Sequence, residues 1–378
     1  MRDKMMVEYD SDDLIYNRFD LIYSGNYEEE TYEYNGKLYV VQTYINKGSA
    51  YINVWGKKFP EKLFGLIIDN IFLEHSDVLQ IIITKAYNNY RGEMYETEDI
   101  VLPLPESKDE LLNLIKTKHQ YNLRRNRARI EKMLGDISTV NYTKGEIPDD
   151  IVNDFFKWKA ETYGTNYELS EKAYLEKYHV TDCITVRAGD KPISILFYCK
   201  VNNIVYLENL SYDREFQKFS PGFLGYEIML EELIKQKCKR LYLGGGSYSY
   251  KRYFGTIVNI AYSGNIYSNR FYKLVNRFTQ TMGIKNFAIY GVGAFGTSFL
   301  KNVSKLDSNL SYCIDKLPKE IEGVTVYTLQ ETLPAVDAVF ITLKVHNQEV
   351  ENYLNERFRQ VYYWIDLPYQ LYDGTRDL

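Results

Sequence analysis

Residues 214–255 read REFQKFSPGFLGYEIMLEELIKQKCKRLYLGGGSYSYKRYFG. After Ser220-Pro221-Gly222 the apolar residues follow helical spacing, and a short strand-like run at 240–243 precedes three consecutive glycines. Proline suits the first turn of a helix, and glycine lets another molecule approach the backbone closely. The preceding run IVYLENLSY, at 204–212, has the composition of a buried strand. The stretch therefore predicts a strand, a loop, a helix and a second strand, in that order.

The start of the predicted helix is suited to hold an anion. Free N–H groups at a helix start attract negative charge, and two basic residues, Arg214 and Lys218, come just before it. A unit of this kind suits a bound acyl-CoA or another phosphorylated donor. The predicted donor-binding residues here are Arg214, Lys218, Ser220, Pro221 and Gly222.

The motifs resemble those of the GNAT-like acyltransferases of the Fem, or peptidoglycan-bridge, type and their relatives in surface-polysaccharide gene clusters. In that family an S-P-G step opens the helix that follows the donor-binding strand, and a later glycine-rich loop ends in Y-K-x-x-F-G. Here the second motif is Tyr250, Lys251, Phe254 and Gly255. The resemblance covers residues 107–270 and extends weakly over 1–106. It implies an acyltransferase activity and, because Fem-type proteins contain two such units, a degenerate copy in 1–106.

The resemblance also implies where the chemistry takes place. In a GNAT-like site the thioester lies along the strand before the phosphate loop, here 204–212, whose N–H groups can polarise the carbonyl. Glu208 is the predicted general base, because burial in an apolar strand raises a carboxyl pKa; a structural ion pair is the alternative. Tyr212 or Tyr250 is predicted to protonate the leaving thiolate, unless each is a packing residue. Lys251 is predicted to contact the donor phosphate or the acceptor, unless it faces solvent.

A different unit is predicted to begin at Lys285. The run KNFAIYGVGAFGTSFLKNV reads as a strand, a G-x-G-x-x-G turn and a helix, and the next strand-like run ends at Asp315. This order is the Rossmann fingerprint. It resembles the small nucleotide-binding domains attached to sugar-modifying enzymes. Such a domain would bind a nucleotide-sugar, bind a dinucleotide, or bind nothing and serve only in packing. Its predicted ligand contacts are Gly291, Gly293, Gly296 and Asp315.

The rest of the chain completes the predicted organisation. A chain of 378 residues is too long for one ordinary core. We predict a multidomain α/β and α+β protein with an N-terminal α+β unit (1–106), a GNAT-like acyltransferase domain (107–270), a linker helix (271–284) and a Rossmann-like parallel-sheet domain (285–378). Within the second domain, the turn signals at Gly189-Asp190 and Asn202-Asn203 predict a strand meander.

A basic helix is predicted at 107–134, where Ser107 and Glu110 form a capping box. Its basic side chains either face solvent or form a wall beside a phosphate-rich ligand. Because of these side chains, transfer RNA stays a possible partner. Its basic residues are Lys116, Lys118, Arg124, Arg125, Arg127, Arg129 and Lys132.

Composition excludes several classes of function. The net charge of −5 argues against broad nucleic-acid binding, so no DNA partner is expected. The four cysteines form no CxxC pair and the four histidines no metal-ligand spacing, which predicts buried free thiols in a reducing cytoplasm and no metal cofactor. No apolar signal region and no run of 18 apolar residues is present in the sequence, so neither secretion nor a transmembrane segment is expected.

These observations favour a cytoplasmic acyltransferase that moves an acyl group from acyl-CoA to an amino group, or less readily a hydroxyl group, of a sugar, nucleotide-sugar or similar metabolite, in surface-glycan biosynthesis. Three other hypotheses stay open: an aminoacyl-tRNA-dependent Fem-type transferase, a non-catalytic binding or scaffold protein, and an NAD-dependent oxidoreductase. The last explains nothing before residue 280. Oligomeric state is not predicted.

Overall fold

A computed structural model describes residues 22–23, 25–55, 57–163, 175–176, 179–244, 249–252, 254, 256–317 and 320–374, with the backbone alone at 163, 249, 250 and 374. The fold is mixed α/β, as predicted. The strands are β1 (Glu28–Tyr34), β2 (Lys37–Asn46), β3 (Ser49–Ile52), β4 (Gln80–Ala86), β5 (Tyr95–Pro103), β6 (Ile137–Thr143), β7 (Asp182–Ala188), β8 (Lys191–Val201), β9 (Ile204–Tyr212), β10 (Arg240–Gly244), β11 (Ile257–Tyr267), β12 (Asn286–Tyr290), β13 (Asn309–Asp315), β14 (Val326–Thr328), β15 (Ala338–Ile341) and β16 (Val361–Tyr363).

The α-helices are α1 (Glu61–Glu74), α2 (Lys108–Asn113), α3 (Thr117–Leu134), α4 (Asp149–Tyr163), α5 (Pro221–Lys235), α6 (Asn269–Thr281), α7 (Ala294–Leu300), α8 (Gln348–Asn355) and α9 (Leu367–Gly374). In the part of the chain described, no helix is long and apolar enough to cross a membrane. The predicted buried free thiols are confirmed for Cys183, Cys199, Cys238 and Cys313.

The chain divides into two compact units. The first comprises Glu98–Asn259, and the second combines the described residues of 22–97 with those of 260–374. The predicted domain limits at 106, 270 and 284 stay a prediction.

The first unit is built on a sheet with the order β5-β10-β9-β8-β7-β6. Strands β6 to β9 are antiparallel neighbours, and β10 is parallel to β9 and antiparallel to β5. The predicted meander is confirmed, and its turns use Gly189 and Asn202, which adopt φ of 55° and 54°. Both residue types tolerate this left-handed conformation better than most.

Helix α5 packs closely on this sheet because small residues face it. A Cβ at Gly225 would lie 2.3 Å from Ser194 Oγ on β8, so only glycine allows this approach. The helix also buries Leu224, Met229, Leu230 and Leu233 in the core of the unit. Full burial of one such side chain stabilises a fold by about 1.5–3 kcal/mol, so the helix start is held firmly against β9.

The predicted helix at 107–134 is wrong in one respect: it is two helices. Helix α2 ends at Asn113 and α3 starts at Thr117. The side-chain amide of Gln120 donates to the carbonyls of Leu112 and Ile115, at 2.7 and 3.0 Å, and so satisfies carbonyl groups at the break. The predicted capping box is half formed, because Ser107 Oγ accepts from Glu110 N while the Glu110 carboxylate accepts from Glu106 N.

Part of the second unit has the same strand pairing as the first, although the last strand of each series lies at a different place in the chain. Strands β1, β2 and β3 form an antiparallel meander, α1 follows, β4 lies parallel to β3, and β11 is antiparallel to β4. In the first unit the same series is β7, β8 and β9, then α5, β10 and β5. This is the topology that a second copy would have, and the copy itself stays a prediction.

The second unit also contains an all-parallel sheet of order β14-β13-β12-β15-β16. The central strand β12 is buried from Phe287 to Tyr290, which is typical of a parallel strand covered on both faces. A helix lies where the linker is predicted: α6 starts at the side-chain cap of Ser268 and ends before Gly283, which has φ 69°. Its role as a linker stays a prediction.

Candidate active site

A cleft of about 860 Å³ lies in the first unit. Strands β9 and β10 pair only where residues 204–206 face residues 240–242. Beyond that point β9 continues to Tyr212 without this partner. Residues 207–210 and Tyr212 line the cleft together with Leu243 of β10. The separation of two parallel strands therefore opens the cleft.

Glu208 lies at an irregularity of β9. The pairing of β9 with β8 runs from Phe197 opposite Asn209 to Tyr198 opposite Leu207, so Glu208 is an extra residue. A bulge of this kind leaves the extra residue out of the ladder and redirects its neighbours. Glu208 is half-buried and lines the cleft. The bulge thus lies at the cleft, with Glu208 among the lining residues.

The start of α5 forms the next wall. Ser220 adopts φ 54° and ψ 53°, and its side chain does not cap the helix, while Pro221 takes the first helical position. Gly222 is buried, and a Cβ there would lie 2.7 Å from Tyr212 Cδ1. Ser220 and Gly222 both line the cleft. The first-turn N–H groups and the positive end of the helix dipole lie at this wall.

Helix α3 supplies a polar and basic wall. Its cleft-lining residues recur at helical spacing and are His119, Asn122, Leu123, Arg125, Asn126 and Arg129. Arg125 and Arg129 are exposed, whereas Leu123 is buried in the core and fixes the rotation of the helix. The predicted basic helix therefore does border a cleft along one face, whereas its exposed Lys118, Arg124 and Lys132 are not among the cleft-lining residues.

Two lysines lie deeper in the cleft. Lys251 is 6% exposed, and its Nζ donates a hydrogen bond of 2.6 Å to the carbonyl oxygen of Leu243. Lys159, on α4, is 8% exposed, and burial lowers its pKa to about 8. A solvent-facing Lys251, the alternative weighed from the sequence, is not what the structure shows.

Six of the residues predicted from the sequence come together in this cleft: Glu208, Tyr212, Lys218, Ser220, Gly222 and Lys251. Two others have different positions. Arg214 is exposed, and its guanidinium donates to the carbonyl of Glu161, while Pro221 serves as the first helical residue. The side chain of Tyr250 lies outside the described residues, as do Gly245, Gly246 and Gly255.

The predicted ligand contacts of the C-terminal sheet lie in the second unit. Gly291 has φ 97°, and a Cβ at Gly296 would lie 1.9 Å from the Gly291 carbonyl oxygen, so both glycines are needed by the fold. Asp315, at the end of β13, accepts a 2.9 Å hydrogen bond from Val292 N. Gly293 differs, because a Cβ there would meet nothing within 4 Å.

The sequence did not single out Lys159, His119, Asn122 or Asn126. The sequence signal for Lys159 is its position next to Trp158 and near Phe155, where a charged residue interrupts the apolar face of a helix. The two asparagines become functional candidates only when the helix face that meets the cleft is known.

A family comparison now bears on the cleft. Residues 117–252 match a family described as "Acetyltransferase (GNAT) domain". This region is similar to GNAT acetyltransferase domains. The match runs from α3 to the turn after β10, so it includes every residue that lines the cleft. No curated protein matches the chain.

Solved structures with a similar fold include a crystal structure of FemX, at 8% identity and a TM-score of 0.46, covering 70% of this chain and 92% of that chain. L-PGS from Bacillus licheniformis is similar at 11% identity and a TM-score of 0.42, covering 65% and 85%. A GCN5-related glucosamine N-acetyltransferase region of a fungal multi-domain GH3 beta-N-acetylglucosaminidase is similar at 12% identity and a TM-score of 0.35, covering 65% and 34%.

Proposed function

We propose that the cleft of the first unit binds a phosphorylated acyl donor, with acyl-CoA as the expected one, and transfers the acyl group to an amine in preference to a hydroxyl. The observation that carries this proposal is the meeting, in one cleft, of the β9 bulge at Glu208, the start of α5 at Gly222 and several basic side chains. The GNAT match over the same residues agrees with it.

Charge supports an anionic donor. One acidic residue, Glu208, is among the described residues that line the cleft. The basic residues that line it are His119, Arg125, Arg129, Lys159, Lys218 and Lys251. The whole chain carries a net charge of −5, so the cleft is a local concentration of positive charge on an acidic protein. Such a concentration attracts phosphate groups and raises the rate of their capture.

The proposed mechanism follows from the walls of the cleft. The donor thioester lies along β9, where the backbone at the bulge faces its carbonyl. Glu208 accepts the proton of the attacking amine. The phosphates of the donor lie at the start of α5 near Lys218, where helix N–H groups and the dipole favour negative charge.

Donor binding is tested by the melting temperature of the protein with CoA, acetyl-CoA, NAD and NADP. A ligand that binds only the folded state raises the melting temperature. We expect a rise with the CoA species that is reduced in Lys218→Ala. The control is Lys239→Ala, which removes an exposed lysine of the same unit that does not line the cleft. A rise with NAD alone would contradict the proposal.

The acceptor is proposed to be an amino group on a sugar or nucleotide-sugar used in the cytoplasm for a surface glycan. Its support is the parallel sheet of the second unit, whose order 3-2-1-4-5 is that of nucleotide-binding doubly wound sheets. Gly293 adds to this, because the fold leaves open space where its side chain would be, as close approach by a ligand requires. Failure of every nucleotide-sugar to bind the protein would remove this support.

A second candidate donor is aminoacyl-tRNA. The observation that favours it is the outer face of α3, where Arg124 and Lys132 are exposed beside the cleft-lining Arg125 and Arg129. Binding of charged tRNA that weakens steeply with salt would favour this donor over CoA. Indifference to tRNA would exclude it.

A further inference from the structure

Lys159 is buried within the proposed transfer site. It projects from α4 into the cleft that Glu208 lines, is 8% exposed, and has its Nζ 5.7 Å from the centre of the Phe155 ring. Thr162, three residues further along α4, lines the same cleft. Helix α4 is fixed by burial of Phe155 and Trp158 in its own core cluster. Lys159 is therefore held on a packed helix at the wall of the cleft.

Burial changes what this amine can do. An ammonium group removed from water loses hydration, which favours the neutral amine and brings the pKa of Lys159 down from 10.5 to about 8. At neutral pH most of the group is still protonated, yet the proton is released far more readily than from an exposed lysine. A reference thiol has a pKa of about 8.5, so this ammonium is matched to a leaving thiolate.

We propose that Lys159 is the catalytic acid of the cleft, and that its ammonium group gives a proton to the sulfur atom that leaves the donor. This inference rests on the proposed acyl transfer. The amine nitrogen bonds to the carbonyl carbon, the carbon–sulfur bond breaks, and the sulfur takes the electron pair and the Lys159 proton. Glu208 takes the proton that the nitrogen loses, and exchange with solvent restores both groups.

This role replaces the one considered for Tyr212. The ring of Tyr212 lies against Gly222 and packs between β9 and α5. The titratable and charged residues that line the cleft together with Lys159 are Glu208 and Tyr212 of β9, Lys218, Lys251, and His119, Arg125 and Arg129 of α3. The lowered pKa of Lys159 comes from its burial.

The test compares two donors of the same acyl group on the wild-type protein. One is the CoA thioester, whose alkyl thiolate needs a proton, and the other is an aryl thioester, whose thiolate leaves without one. The ratio of their rates at each pH cancels the ionisation of the acceptor and of Glu208. We expect the ratio of CoA to aryl thioester turnover to fall as the pH rises through about 8.

Variants sharpen the comparison. Lys159→Met should lower kcat for the CoA thioester by about 10²–10⁴-fold, the usual range for a lost general acid, and much less for the aryl thioester. Lys159→Arg keeps the charge but holds its proton too tightly, so it should show the same selective loss. The control is Lys157→Met, an exposed lysine on the same helix, which should leave both rates unchanged.

The outcomes are distinct. A rate ratio that is independent of pH in the wild type, or unchanged in Lys159→Met, overturns the assignment of Lys159 and leaves acyl transfer standing. Absence of turnover with either thioester overturns the proposed function and this inference together. The wild-type ratio decides the question even where a variant fails to fold.

Discussion

Gly222, at the start of α5, leaves room for the ring of Tyr212 at the end of β9: a Cβ at position 222 would lie 2.7 Å from Tyr212 Cδ1 and 3.2 Å from Leu210 Cδ2. The helix start is thereby brought against the strand along which the donor thioester is proposed to lie. The serine-proline-glycine motif is thus explained by packing as well as by ligand approach.

Gly222→Ala should therefore separate α5 from β9. We expect a loss of about 1–3 kcal/mol in unfolding free energy, as for other overpacked sites, together with weaker CoA binding. Urea unfolding and calorimetric titration measure the two effects. The control is Gly65→Ala in α1, where a Cβ meets nothing within 4 Å and alanine should stabilise the helix. Unchanged stability and binding in Gly222→Ala would contradict this account of the motif.

Lys251 binds to β10 at the point where β10 has separated from β9. Its Nζ donates to the Leu243 carbonyl at 2.6 Å, where β10 no longer pairs with β9. Lys251→Met should cost about 1–3 kcal/mol of unfolding free energy, because a buried carbonyl loses a charged donor. Lys239→Met, at an exposed position, should stay within about 0.5 kcal/mol of the wild type. Equal stability of the two variants would show that the hydrogen bond does not hold the strands.

The buried Glu227 of α5 should make the unfolding free energy depend on pH. Burial, and then the nearby Glu231, raise the pKa of Glu227 from 4.5 to about 7. Between these values the folded protein keeps a proton that the unfolded chain releases, so the unfolding free energy falls as the pH rises through this window and is level above it. The shift corresponds to about 3 kcal/mol at most.

Glu227→Gln should remove that fall. The variant should be more stable than the wild type at about pH 8 and gain little at about pH 4.5, because the neutral amide does not titrate. Chemical denaturation at several pH values measures the difference. Glu232→Gln, on the same helix, serves as the control. A constant difference between Glu227→Gln and the wild type at all pH values would contradict the prediction.

The glycine turn after β12 offers a contrast within one motif. Gly296→Ala should destabilise strongly, because its Cβ would lie 1.9 Å from the Gly291 carbonyl oxygen. Gly293→Ala should cost no more than about 1 kcal/mol, since only its preference as a helix cap is lost. If the turn binds a nucleotide-sugar, Gly293→Ala should still weaken that binding. Equal melting temperatures of the two variants would overturn this reading of the turn.

Much of the fold was predictable because its signals are local. Asn202 and Gly189 specify tight turns, Ser268 caps a helix, and the residues of β12 are apolar on both faces. Each of these features depends on a few neighbouring residues. The order of elements from β7 to β10 follows from such signals.

The rest of the fold depends on contacts between residues that are far apart in the sequence. Strand β5 pairs with β10 and β4 pairs with β11, and no local pattern specifies these partners. The break at residues 114–116 depends on the burial of Leu111 and Ile115 together with a hydrogen bond from Gln120. Lys159 became a site residue only when α4 was placed against the cleft.

The most direct test of the central claim is acyl transfer itself. Protein, acetyl-CoA and a panel of amino sugars and nucleotide-linked amino sugars are incubated together, and free thiol and acylated product are measured for the wild type and for Glu208→Gln. We predict equal amounts of thiol and acylated amine with the wild type, and a rate lower by about 10²-fold or more in the variant. Transfer that requires charged tRNA, or no transfer from acetyl-CoA to any amine, would contradict the claim.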